Sequence, residues 1–185
     1  GDGTSAPQDT APPQTNIDDC AALDTMVDPS ECNGVTVEPS KAVYVAPTGM
    51  DSNPGTKAKP KKTIGAGLKE AESDPMKSDV LVQVGTYDEQ VELVNGVDLV
   101  GGYDSSWKRA MGQDTLIRGE GTGEPALQAG GINDATRLVD FKIRPKGSPS
   151  MWDDIVTVYL KESPGVELHA MKIHGAERSE ERRVG

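Results

Sequence analysis

The chain has 185 residues with 30 acidic and 19 basic side chains, a formal charge of −11 and a sequence pI near 4.6. That balance disfavours nucleic acid as a partner, because phosphate binding needs a local excess of Lys and Arg. The length suits one domain plus a tail, and no run of 18 or more apolar residues is present to span a membrane, so a soluble chain is expected.

Residues 1 to 40 hold eight acids (Asp2, Asp9, Asp18, Asp19, Asp24, Asp28, Glu31 and Glu38) and no Lys or Arg, which accounts for −8 of the total charge. With Pro7, Pro12, Pro13, Pro29 and Pro39 and few large apolar groups, this part cannot bury enough surface to offset chain entropy. Residues 1–17 read as a disordered acidic linker of the kind that tethers a surface domain, and mature bacterial lipoproteins carry similar leaders. A signal peptide and an acylatable N-terminal Cys are not in this sequence, so a lipid anchor would lie outside it. In segment 18–40, Cys20 and Cys32 enclose eleven residues. A disulfide is the preferred reading, contributing about 3 kcal/mol in the chain-entropy model and pointing to an extracellular or periplasmic location. A catalytic thiol would want a basic neighbour, and zinc would want further ligands.

A domain is expected over 41–175. Val43 to Val45 predict a buried strand ended by Pro47. Asp51 and Asn53 can fold back on nearby backbone, and Pro54-Gly55 supplies a turn with φ > 0. The same Asp51 and Asn53 are oxygen donors two apart, the sharper reading being a calcium site, although the remaining acidic positions of an EF-hand loop are missing. Lys57, Lys59, Lys61 and Lys62 are the basic patch that an anionic polysaccharide would need, against a bland reading as a solvated loop. Thr63 predicts an N-cap, and Ile64, Leu68 and Ala71 the apolar face of a helix that stops at Asp74-Pro75. Gly65 and Gly67 each cost about 1 kcal/mol relative to Ala, so this helix must gain its stability by docking as a lid over a core.

The stretch YVAPTGMDSNPGTKAKPKKTIGAGLKEA resembles the opening of a family of right-handed parallel β-helix proteins of unknown function, whose N-terminal signature is shared with some pectate-lyase-like and chondroitinase-like enzymes. GGYDSSW, Gly101 to Trp107, resembles a second element of that family, and together they cover Val43 to about Gly119. The resemblance implies an all-β fold, a right-handed parallel β-helix (solenoid) with a short N-terminal capping helix. It does not by itself imply catalysis. Resemblance to the pectate-lyase-like enzymes implies calcium held by acids and a basic residue removing a proton, yet no local motif matches their catalytic residues.

Further along, Val80 to Val84 predict a strand buried on more than one side. Gly85-Thr86 reads as a turn, Val91 and Leu93 as a half-buried strand, Asn95-Gly96 as a turn, and Val97 to Val100 as a strand ending at Gly101-Gly102. Two internal echoes follow. Ile117 and Gly119 match Leu99 and Gly101 at an offset of 18, and Leu138, Phe141, Lys142 and Ile143 match Leu168, Met171, Lys172 and Ile173 at an offset of 30. Repetition of strand-sized units is the mark of stacked coils, with an ordinary β-sandwich as the structural alternative.

The remaining residues offer weak chemistry. Gly119, Gly121 and Gly123 suit a turn better than a phosphate loop, because Glu120, Glu124 and Pro125 flank them. His169 and His174, five apart, would face opposite ways on one continuous strand. Asp134, Asp140, Asp153 and Asp154 would line one face if coils stack in register, with Lys142 and Lys172 one above the other, against a bland reading as solvated charges. Trp107, Trp152 and Tyr103 suit sugar stacking, although Trp107 is as readily packed over a coil edge. No other cofactor is indicated. After Ile173 the sequence GAERSEERRVG offers neither another coil nor a cap, and residues 176–185 resemble translated adapter sequence, so a fragment is expected. The reading is an exported bacterial surface module, a non-catalytic scaffold or a binder of glycan or cell-surface protein. Its alternative is the N-terminal part of a calcium-dependent lyase acting on acidic polysaccharide.

Overall fold

The computed structural model describes residues 37–109, 113–119, 124–145 and 157–174. Cys20, Cys32, Trp152, Asp153, Asp154 and the final segment 176–185 lie outside them. The described residues form twelve strands and one α-helix: β1 (Ala42–Val45), α1 (Ile64–Ser73), β2 (Asp79–Gln83), β3 (Gly85–Asp88), β4 (Val91–Glu92), β5 (Asp98–Tyr103), β6 (Thr115–Arg118), β7 (Leu127–Gly130), β8 (Thr136–Val139), β9 (Phe141–Arg144), β10 (Val158–Lys161), β11 (Val166–His169) and β12 (Lys172–Ile173). No described helix is long and apolar enough to cross a membrane.

These strands form three sheets, ordered β1-β2-β5-β8-β11, β3-β6-β9-β12 and β4-β7-β10, and every pairing between named strands is parallel. An antiparallel sandwich is therefore not what the described residues build. The chain visits the sheets in rotation: β2, β3, β4, then β5, β6, β7, then β8, β9, β10, then β11 and β12. Each circuit adds one strand to each sheet until the last, which adds two.

Because side chains alternate along a strand, register decides which residues meet. Val43, Val80, Leu99, Leu138 and Leu168 stack in one column, and Tyr87, Ile117, Ile143 and Ile173 in another. Their buried members join one core cluster. The offset of 30 is thus a true register, pairing Leu138 with Leu168, Lys142 with Lys172 and Ile143 with Ile173. The offset of 18 is not. Leu99 pairs with Val80 and Leu138, whereas Ile117 pairs with Tyr87 and Ile143, so those 18 residues lead from one sheet to the next within a circuit.

One expected turn and one expected strand end are also displaced. Gly85 and Thr86 already belong to β3, and β5 runs through Gly101 and Gly102 to Tyr103. The glycines accommodate a bulge, visible as a register shift between Leu81 and Gln83 opposite Val100 and Tyr103. A Cβ on Gly101 would lie 2.6 Å from the Asp140 carbonyl oxygen, and Gly102 has φ +76°.

The helix closes one end. Ile64, Leu68 and Ala71 are buried as their spacing predicts, and Gly67 is buried with them. Gly67 is required by proximity, since a Cβ there would lie 2.5 Å from Val45 Cγ2 and 3.0 Å from Val80 Cγ1. Donors at the helix start are satisfied in turn: Asp51 Oδ1 accepts from Lys62 N and Thr63 N, Glu89 accepts from Ile64 N (2.8 Å) and Gly65 N (2.9 Å), and Thr63 Oγ1 accepts from Ala66 N. Desolvation is the largest single influence on Asp51 and acts to raise it, but the main-chain N–H groups of Thr63 and Lys62, with the Thr63 side chain and the Lys61 charge, together outweigh it and hold the carboxyl below the usual range.

The outer face of the β1-β2-β5-β8-β11 sheet is covered as well. Tyr44, Leu81, Val100 and Val139 form a second cluster with Val37, Ala42 and Tyr103, against which Trp107 packs. One column along this face carries charge. Asp79 and Asp98 are register partners, both nearly buried, and Asp98 pairs with Arg137 at 2.8 Å. Burial, then the Asp98 and Glu38 charges, push Asp79 up to about 6, against relief from Ser78 and Arg137.

Two stability predictions follow from this packing. Gly67→Ala gains about 1 kcal/mol of helix propensity, yet overpacking Val45 and Val80 costs about 1–3 kcal/mol. Urea unfolding should show it less stable than Gly65→Ala, whose Cβ meets only the Glu89 carboxylate, at 3.3 Å. For Asp79, the folded chain holds a proton between the ordinary value of 3.8 and about 6 that the unfolded chain releases. Stability therefore falls as pH rises through that window. Asp79→Asn should flatten this slope in thermal melts taken from pH 4 to pH 7 and raise stability at neutral pH by on the order of 2 kcal/mol; an unchanged pH profile would contradict the burial argument.

Candidate functional site

The β3-β6-β9-β12 sheet turns charge outward because its strands alternate. In β9, Phe141 and Ile143 are buried while Lys142 and Arg144 project, and β6 repeats this with Ile117 inside and Arg118 outside. Register then stacks the exterior residues. Thr86, Leu116, Lys142 and Lys172 form one column, and Asp88, Arg118 and Arg144 the next. Neighbouring parallel strands lie about 4.8 Å apart, which sets the repeat along each column.

Asp114, just before β6, bridges the two lysines. Its Oδ2 accepts from Lys142 Nζ and its Oδ1 from Lys172 Nζ, each at 3.3 Å. The hydrogen bond from Lys172, opposed by desolvation and reinforced by the hydrogen bond from Lys142 and both lysine charges, holds Asp114 below the usual carboxylate range. In the second column Arg118 grips Asp88 through both Nε and Nη2, the latter at 2.6 Å, which raises the guanidinium further. Arg144 is exposed, and among the described residues no carboxylate forms an ion pair with it. Four cations against two acids give this face a local positive excess on an acidic chain. Such a face can hold carboxylate or sulfate groups by charge-assisted hydrogen bonds.

The expected stack of Lys142 on Lys172 is therefore present, and other expected groupings are not. Asp134 and Asp140 flank β8 at its two ends, so they do not line one face: Asp134 accepts from Asn95 Nδ2, and Asp140 accepts from Arg109 Nη2 at 2.7 Å. His169 ends β11 beside Glu167, while His174 follows β12 in a different sheet, with Ala170 at φ +50° turning the chain between them. They do not share one continuous strand. Among the described residues no group of three or more His, Cys, Asp or Glu is placed to hold a metal.

Asp51 and Asn53 serve the loop, Asp51 as described and Asn53 by donating to the Pro60 carbonyl at 2.8 Å. Of the loop lysines, Lys61 is buried, pairs with Glu70 at 2.8 Å and donates to the Asp51 carbonyl, while Lys57 lies over the Tyr44 ring. Trp107, with φ +63°, packs edge-on against Tyr44 at 4.7 Å and beside Tyr103 at 6.4 Å. Its ring covers the sheet rather than standing free as a sugar platform. Gly119 follows β6, and its N–H donates to the Arg144 carbonyl. A groove of about 590 Å³ runs between α1 and the β4–β7 edge, floored by Leu68, Leu93 and Ile132 and rimmed by Lys69, Glu72, Gln90 and Glu92. Among the described residues its lining is without aromatic side chains and carries both signs of charge.

Sequence reasoning passed over Asp114, Arg118 and Arg144. Arg144 was within reach, being two residues beyond Lys142 on the same alternating strand. Asp114 was not, since its partners lie 28 and 58 residues away.

No curated protein and no solved structure matches this chain. One family model does, described as a protein of unknown function (DUF1565), over residues 47–142. That span, more than half of the 185 residues, takes in the capping helix, the first two circuits and the Lys142 strand, and the chain belongs to this family.

Proposed function

We propose that the chain is a right-handed parallel β-helix module of an exported bacterial surface protein, and that it binds acidic polysaccharide without catalysing its cleavage. The fold reading is supported by three all-parallel sheets visited in rotation with inward columns held in register. Export is supported by the acidic, Pro-containing segment before residue 41 and by the two cysteines spaced for a short disulfide loop.

The observation that carries the binding reading is the pair of exterior columns on the β3-β6-β9-β12 sheet. Lys142 and Lys172 stand in register on adjacent strands, and Arg118 and Arg144 stand beside them. An acidic polysaccharide presents carboxylates or sulfates in a repeating row, and a repeating row of cations answers it with several weak contacts made together. Several acids of the described residues are drawn into structural ties, as Asp51, Asp98 and Asp140 are, which leaves fewer carboxylates for acid–base work and supports a binding role over a cleaving one.

Isothermal titration of the full chain with a galacturonate oligomer at low ionic strength tests this. Wild type should bind, the affinity should fall steeply with added salt, and Lys142→Gln with Lys172→Gln should lose roughly tenfold. Unchanged affinity in the double variant would remove the site, and ultraviolet absorbance from an unsaturated uronate product, with calcium present, would overturn the non-catalytic reading.

A further inference from the structure

The lysine pair is already occupied. Both oxygens of Asp114 are engaged, one by each lysine, so the carboxylate stands where a ligand's acidic group would stand. Around it lies a cavity of about 70 Å³ lined by Gln113, Asp114, Asp140, Phe141, Lys142 and Lys172. A water molecule occupies about 30 Å³ of liquid, so this space suits one small acidic group and little more.

The contact is looser than the other Lys and Arg ion pairs among the described residues. Both Lys–Asp114 distances are 3.3 Å, whereas Lys61–Glu70, Arg109–Asp140 and Arg137–Asp98 lie at 2.7–2.8 Å. Charge-assisted bonds of this kind normally close to about 2.7–2.9 Å. A single carboxylate is shared between two ammonium groups borne on successive strands, and it approaches neither closely. Asp114 and Lys172 are also substantially exposed, at 42% and 64% of their side chains, so the carboxylate can swing into solvent without breaking core packing.

We propose that Asp114 is a resident competitor for the Lys142–Lys172 pair: it holds the two cations together while the site is empty and yields them to a carboxylate or sulfate of the incoming glycan. The inference rests on the binding reading above and adds its regulation. Binding is then an exchange of one carboxylate for another, so a polymer that reaches both lysines at once and adds contacts to Arg144 displaces Asp114, and an isolated small carboxylate does so poorly. The same exchange offsets one of the pair's two charges while the site is empty, which limits non-specific capture of anions.

Titrating the galacturonate oligomer into wild type, Asp114→Asn, the Lys142→Gln/Lys172→Gln pair, and the triple variant tests this. Asn keeps the shape and removes the charge, and thermal melts of each variant check that the fold is intact. Asp114→Asn should bind roughly three- to tenfold more tightly than wild type, the gain expected from releasing two exposed ion pairs, and this gain should vanish in the lysine-free background. A gain that persists without the lysines would be a general charge effect and would overturn the proposal. Weaker or equal binding by Asp114→Asn, with the lysine pair still needed, would overturn it and leave the binding reading standing. If neither wild type nor Asp114→Asn binds, both readings fall.

Discussion

The in-register stacking of parallel strands is the constraint from which the rest of this molecule follows. With a side-chain period of two, each new strand must set its apolar residues over those of the strand before, because a slip of one residue would turn the core outward. The column from Val43 through Val80, Leu99 and Leu138 to Leu168 obeys this although the connecting lengths differ widely, with Val80 to Leu99 a much shorter step than Leu99 to Leu138. Loop length is free, and register is not. Where the described strands stop, the constraint shows itself again. Leu160, Leu168 and Ile173 lie on the last strand of each sheet and are 40–45% exposed, because each has a neighbour on one side only.

The opposite end is treated differently. There the core column ends at Val43 and Val45, and α1 lies across them with a glycine at the point of nearest approach. Weak helix propensity and close docking are one fact seen twice: a residue that stabilised the free helix would keep it from seating. Capping is correspondingly tertiary. The first turn is held by Asp51 from the preceding loop and by Glu89 from the turn after β3, so the lid forms only when the first circuit is in place to supply Glu89. Local and long-range folding are thereby joined in one set of hydrogen bonds.

Much of this was legible in the residues. The buried face of α1, its Thr63 cap, the strand at Val43 to Val45 and the offset of 30 follow from period, capping chemistry and repetition, which are local signals. The misread offset of 18 shows where such signals end. An apolar residue followed shortly by glycine recurs wherever a strand leaves a corner, so the pattern is shared by strands of different sheets and does not say which lie side by side. The bulge at Gly101–Gly102 reads in the sequence as a strand end for a related reason: glycine marks an unusual backbone angle without saying whether pairing stops there. The Asp114 bridge and the Asp79–Asp98–Arg137 column depend on residues brought together by loops of unequal length, and no local pattern announces them.

Charge makes the same point about function. Taken as a whole the sequence is strongly acidic, which argues against anionic partners, yet eight of its acids precede residue 41. What a ligand meets is the potential of one face, and that face is set by register. The conspicuous lysine run from Lys57 to Lys62 is partly spent on the fold itself, Lys61 buried against Glu70 and the exposed Lys57 lying over the Tyr44 ring. Lys142 and Lys172, thirty residues apart and in no local charge run, are instead set side by side on adjacent strands with Arg144 next to them. Any contact with acidic glycan would accordingly depend less on how many cations the chain carries than on whether a strand, having buried Phe141 and Ile143 for the sake of the core, is thereby obliged to present Lys142 and Arg144 to solvent.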